Sequence, residues 1–256
     1  MSWWGTLLGG ALGYMFGGPL GALLGAALGR NFDRGLKTSA RHEGPGIGGQ
    51  ERVQLAFFTA TFSVMGHIAK ADGRVSPDEI SAAETIMAQM QLDPQQRQAA
   101  IRLFNEGKQD GFRLSEVLRQ FRQECHRRRN LLQMFLEIQI ATVMADGHAH
   151  PVERRLIFRI GEELGFERAA IEHLFSFVGA SHSAAEPQPL SKAYGILGVG
   201  REASDAEVKK AYRRLMNQHH PDKLIARGLP EEMVKLATEK TQEIKAAYEQ
   251  VKRSRA

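Results

Sequence analysis

Two amphipathic helical patterns in this chain meet at the tripeptide His220-Pro221-Asp222, an arrangement that dictates a helical hairpin. Ser204 opens the first pattern as an N-cap, and Glu207 stands three residues on, as a capping box requires. Val208, Ala211, Tyr212, Leu215 and Met216 follow at i, i+3, i+4, i+7 and i+8, the apolar stripe of a helix. Lys209, Lys210, Arg213 and Arg214 lie off that stripe and form a basic outer face. Pro221 ends the helix, because it offers no N–H and biases His220 away from the α region. A second stripe runs through Ala237, Thr241, Ile244, Tyr248 and Val251 after Pro230. The expected product is an antiparallel pair with an exposed, Pro-stiffened loop at its tip.

Ala193-Tyr194-Gly195-Ile196-Leu197-Gly198-Val199 stands upstream of the tripeptide, and Gln242-Glu243-Ile244-Lys245-Ala246-Ala247-Tyr248-Glu249 stands downstream. The order and spacing of these blocks, over residues 189–256, resemble the J domain of DnaJ-type co-chaperones. The resemblance implies docking on a DnaK-type chaperone and stimulation of its ATP hydrolysis. It makes His220, Pro221 and Asp222 the essential trio and Lys209, Lys210, Arg213 and Arg214 the docking residues, with Lys223 assisting. Tyr194, Leu197, Ala211, Tyr212, Leu215, Ile244 and Tyr248 would hold the hairpin. The basic face would meet an acidic surface, giving steering and orientation.

Charge follows the same division. The chain carries a net +5, with 34 Lys and Arg against 29 Asp and Glu. Residues 190–256 hold 14 against 9, residues 30–50 hold 4 against 2, and residues 51–189 hold 16 against 18. No aromatic side chains interleave with the basic ones as a stacking platform would need, so no nucleic-acid partner is expected.

Residues 3–29 contain no charged side chain. As one helix they would span roughly 40 Å, enough for a hydrocarbon core of about 30 Å. A basic n-region is lacking, so a cleaved signal peptide is not expected. Arg30, Arg34, Lys37 and Arg41 follow the segment, and the positive-inside rule then places the N-terminus outside and the remaining chain in the cytoplasm. The alternative is an amphipathic surface helix or a buried hairpin, with Gly18-Pro19 as a kink. Gly5, Gly9, Gly13, Gly17, Gly21, Gly25 and Gly29 recur every four residues. Such a groove lets two helices approach closely, so the segment is expected to self-associate as a homodimer; a loosely specified small-residue anchor is the alternative.

Residues 30–50 read as a basic juxtamembrane segment and linker, and residues 51–178 as helical. Within the latter, Ala71-Asp72-Gly73-Arg74-Val75-Ser76-Pro77-Asp78-Glu79 is repeated, 74 residues on, as Ala145-Asp146-Gly147-His148-Ala149-His150-Pro151-Val152-Glu153. Phe57, Phe58, Phe62, Met65 and Ile68 precede the first copy; Leu131, Leu132, Phe135, Leu136 and Val143 precede the second. Two helix–turn–helix units around a pseudo-symmetric core are expected. The doubled signature resembles the TerB-like helical domain named for tellurite-resistance proteins. That resemblance implies an acidic site from Asp72, Glu79, Asp146 and Glu153, whose hard oxygens suit a divalent metal such as Ca²⁺ or Mg²⁺. The competing reading is turn and cap chemistry alone: Asp-Gly turns followed by Pro at N1 and Glu three residues past the cap. Val152 replaces the Asp a second His-Pro-Asp site would need. Residues 179–188, rich in Ala, Ser and Pro, read as a linker that lets the C-terminal domain swing.

One cysteine, Cys125, leaves no internal disulfide, and its neighbour His126 would not face it on a helix. Neither a P-loop, a zinc-protease motif nor a nucleophile elbow is present, and no cofactor is expected. An all-α chain with a Gly-rich span (1–29), a TerB-like bundle (51–178) and a J domain (189–256) resembles the DjlA family of bacterial membrane-anchored co-chaperones. The resemblance implies a single-pass inner-membrane protein, periplasmic at its N-terminus, that regulates another protein's ATPase rather than acting as an enzyme. The rival is a membrane stress sensor or scaffold whose TerB-like domain binds metal or a signalling partner.

Overall fold

The computed structural model describes residues 18–25, 49–71, 73, 77–145, 149–182 and 190–255. These residues are helical and turn structure throughout, as the 3.6-residue periodicity predicts. Helix α1 (Gly49–Ala69) is the axis of the central domain. It is covered by α3 (Pro94–Gly107), α4 (Leu114–Glu124), α5 (Arg129–Val143) and α6 (Pro151–Glu163), which explains why it buries residues on every side rather than one stripe.

The expected repeat is visible in the packing. Helix α2 (Pro77–Gln89), which follows the first Asp-Gly pair in sequence, lies against α5. Helix α6, which follows the second, lies against both α5 and α1. Phe57, Phe121 and Phe135 join the halves, with ring centroids 5.9 and 4.8 Å apart in successive pairs. All five apolar residues expected on the second copy's leading helix are buried.

Two glycines set the closest approach. A Cβ on Gly66 would lie 1.9 Å from Phe104 O, and one on Gly107 would lie 1.8 Å from Ser63 O. Helices α1 and α3 therefore touch backbone to backbone, which no larger residue permits. Helix α7 (Arg168–His182) packs on α5 and α6, and the C-terminal domain begins on its far side.

That domain comprises α8 (Leu190–Leu197), α9 (Asp205–His219), the short α10 (Pro221–Ile225), a 3₁₀ turn (Glu231–Met233) and α11 (Val234–Arg255). The hairpin is α9 against α11, with α8 closing its base. Leu197, Val208, Ala211, Leu215, Ala237, Ile244, Ala247 and Val251 are buried between them, and Tyr212 stacks on Tyr248 at 4.2 Å. Arg255 staples the base: it donates to Tyr194 Oη (2.8 Å), Asp205 Oδ1 (2.7 Å) and Arg201 O (3.2 Å). The expected core residues of the hairpin are therefore the observed ones.

The expected membrane span lies outside the described residues except at 18–25, which is helical and only about 12 Å long. Leu20 of this stretch is buried, and its N–H donates to Gln120 Oε1 (2.8 Å). Among the described residues no helix is long and apolar enough to cross a membrane. Of the seven glycines in register, Gly21 and Gly25 fall in this stretch, while Gly5, Gly9, Gly13, Gly17 and Gly29 lie outside the described residues.

Candidate functional site

The capping box predicted for α9 is present. Ser204 Oγ accepts from Glu207 N (3.3 Å), and Ser204 N donates to Glu207 Oε2 (2.8 Å). The Ser204 N–H and its hydroxyl, which also lies 2.8 Å from Oε2, hold the Glu207 carboxyl below its usual range. With the helix start fixed, Lys209, Lys210, Arg213 and Arg214 all fall on the exposed face. Among the described residues none of the four stands within 4.0 Å of a carboxylate, so the face presents four cations to solvent.

The exposed, Pro-stiffened tip expected from sequence is a capped turn. His220 adopts φ −60 and ψ 122, which ends α9 at His219. Its ring then turns forward to cap α10: Nδ1 accepts from Asp222 N at 3.2 Å. The His220 carbonyl accepts from Lys223 N and Leu224 N, both at 3.1 Å. Lys223 Nζ donates to Asn217 Oδ1 across the turn. Leu224 is wholly buried, and Gly228 at φ +92 lets the chain reverse into the following turn. The result is a rigid knuckle from which the Asp222 side chain, 86% exposed, projects beside a half-covered His220.

His150-Pro151 opens α6 in the same way, with His150 Nδ1 accepting from Val152 N at 3.4 Å. Glu153 Oε2 accepts from His150 N at 3.0 Å and is buried. Of the expected acidic site, Asp72, Asp146 and the Glu79 side chain lie outside the described residues, and Glu153 is oriented as a cap. Among the described residues no group of three or more candidate ligands gathers. Cys125 is buried, and burial pushes its thiol up to about 12, which keeps it a packing residue.

Sequence reasoning missed the seam between the two domains. Instead of swinging on the linker, the C-terminal domain rests on α5 and α7. His219, immediately before the His-Pro-Asp tripeptide, is buried; its ring stacks on Phe177 (5.6 Å), and its Nδ1 lies 3.6 Å from Glu137 Oε2. Asn130 Nδ2 donates to Gln218 O (3.1 Å), and Gln50 Nε2 donates to Ile225 O (3.4 Å). Lys240 Nζ sits 4.0 Å over the Phe177 ring. Burial lowers the His219 pKa, opposed by Glu137 and aided by Lys240. Gly198, at φ +65, lets His173 of α7 approach to 2.3 Å from where a Cβ would stand. Two signals were legible: a histidine continuing the apolar stripe of α9, and a glutamate inside the apolar run of α5.

Comparison with known proteins follows the same three parts. Residues 1–39 match the family "Co-chaperone DjlA transmembrane domain", residues 58–175 match "Tellurite resistance protein TerB", and residues 192–255 match "DnaJ domain". No solved structure matches. The chain is 43% identical to Co-chaperone protein DjlA of Photobacterium profundum, over 98% of this chain and 99% of that one. It is 43% identical to the Coxiella burnetii protein of the same name, over 100% and 99%, and 40% identical to that of Yersinia pseudotuberculosis, also over 100% and 99%. On full-length likeness to relatives that share all three parts, this chain belongs to the DjlA co-chaperone family.

Proposed function

We propose that this protein is a membrane-anchored co-chaperone whose C-terminal domain stimulates ATP hydrolysis by a DnaK-type chaperone at the cytoplasmic face of the membrane. The observation that carries the reading is the capped His220-Pro221-Asp222 knuckle beside an exposed basic helix face. Lys209, Lys210, Arg213 and Arg214 steer the encounter with an acidic surface, a long-range effect that raises the association rate. Pro221 and the His220 cap hold Asp222 in place, so its carboxylate meets a cation of the chaperone with little ordering cost, as a charge-assisted hydrogen bond. Pre-organisation is thus the turn's physical contribution.

The N-terminal segment anchors the chain with its N-terminus outside, and its glycine register pairs two copies. Anchoring confines the C-terminal domain to a layer near the bilayer and raises its effective concentration for clients there. The experiment is binding of the ATP-loaded chaperone to the full chain in detergent micelles. Asp222→Asn is expected to reduce that binding at least tenfold while leaving the melting temperature within about 2 °C, because the side chain is exposed. Binding equal to wild type would refute the assignment of the knuckle.

A further inference from the structure

We infer that the central domain adds its own basic turn, Arg127 to Arg129, to the chaperone-docking surface; the inference rests on the co-chaperone reading above. This turn joins α4 to α5 and lies beside the knuckle. Its neighbour Asn130 holds Gln218 O, two residues before His220. A Cβ on Gly228, the residue that turns the chain beyond α10, would lie 3.5 Å from Arg128 Nη1. Gly228 N closes its turn on Ile225 O at 2.8 Å, so Arg128 borders the same short helix that carries Asp222. A protein interface of ordinary size covers about 800 Å² per partner, a disc of roughly 16 Å radius. A partner seated on Asp222 that extends along α10 toward Gly228 reaches this turn.

Local structure gives no reason for Arg127 or Arg128 here. Arg127 is left-handed at φ +62, a conformation that favours Gly or Asn. Arg128 and Arg129 stand at the N-terminus of α5, where the helix dipole disfavours cations. Among the described residues none of the three forms an ion pair, whereas Arg52, Arg113, Arg154 and Arg159 of the same domain each have a carboxylate partner. Arg128 Nη1 is buried with no hydrogen-bond partner. Arg129 is held in place over Phe166 (4.5 Å) and by Gly165 O (3.4 Å), yet remains exposed. Positive charge is thus retained at a cost in local stability, on the flank of the knuckle, with the same sign as the α9 face. The partner it fits is the acidic surface of the chaperone that α9 meets.

This arrangement makes a prediction the C-terminal domain alone does not. Charges at the rim of an interface act on encounter, so their loss raises the half-saturating concentration and spares the saturated rate. The test is stimulated ATP hydrolysis against concentration of the full chain in micelles, for wild type, Arg127→Gly with Arg129→Gln, and Arg127→Lys with Arg129→Lys. The Gly and Gln pair is chosen to suit the left-handed backbone and keep the contact to Gly165 O. It is expected to raise the half-saturating concentration about 3–10-fold, with the maximal rate unchanged and the gap narrowing at 0.5 M salt as screening predicts. The lysine pair is expected to stay near wild type, which separates charge from folding. Equal half-saturation in all three chains, while wild type stimulates, would overturn the inference and leave the co-chaperone reading intact. So would unchanged stimulation with loss of binding to vesicles of anionic lipid, which would assign the turn to the membrane. A wild type no better than His220→Gln would remove both readings together.

Discussion

His219 makes the domain seam sensitive to acid, and the effect can be worked from the structure. The ring is buried against Phe177 and flanked by Glu137 on one side and Lys240 on the other, with Glu243 beyond. Burial holds its folded pKa below the unfolded value of about 6.5. Between those two values the unfolded chain binds more protons than the folded one, so stability rises with pH there. The seam is therefore fully stable above about pH 6.5 and weakens as pH falls below it. One pH unit is worth about 1.4 kcal/mol per group, so at pH 5.5 the loss from His219 approaches but does not exceed that figure. His173, on the same seam, has a pKa lowered by partial burial and by Arg214, and adds a smaller loss of the same sign because much of the residue stays in solvent. The assay is urea unfolding of the chain in detergent at pH 7.5, 6.5 and 5.5, for wild type and His219→Gln. The variant is expected to start less stable and to lose less between pH 7.5 and 5.5, with the difference in slope near 1 kcal/mol. Identical slopes would refute the buried, neutral His219 on which the seam is argued.

Other perturbations address separate parts of the account. Gly198→Ala forces an L-residue into left-handed backbone and pushes a methyl into His173, for a loss of about 2 kcal/mol; in a His173→Ala background the same change costs less, which a double-mutant cycle in urea resolves. Gly107→Ala drives a methyl into Ser63 O and is expected to destabilise the central domain by about 3 kcal/mol, read as a fall in melting temperature. Cys125 is expected to resist alkylation by iodoacetamide at pH 8 in the folded chain and to react once urea exposes it, because its thiol is buried and titrates near 12.

Much of this molecule was readable before its structure. The capping box at Ser204, the buried stripe of α9, the stop at Pro221 and the capped start of α6 at Pro151 all follow from local chemistry, which a single sequence displays. The knuckle was only half legible. Pro221 announces an interruption, but a histidine serving as N-cap is unusual, and its Nδ1 bond to Asp222 N depends on a ring orientation that spacing does not encode. Contacts between distant segments were not legible at all. Gly66 and Gly107 look like poor helix formers until each is seen against the backbone of the other's helix, some forty residues away. Glu137 and His219 read separately as a stray charge and a doubled histidine, and only the docking of two domains brings them together. The linker's flexible composition pointed to a swinging domain, because composition reports what a segment permits and not what its ends pack against.

The most direct test of the central claim is single-turnover ATP hydrolysis by a DnaK-type chaperone, with the full chain in micelles as wild type or His220→Gln. Glutamine keeps the size of the side chain, but its amide oxygen stands one bond further from Cβ than the Nδ1 that caps Asp222 N. The account predicts clear stimulation by wild type and its loss in the variant, with the two chains unfolding at similar urea concentrations. Equal stimulation by both, or none by a folded wild type across the chaperones of its host, would contradict it.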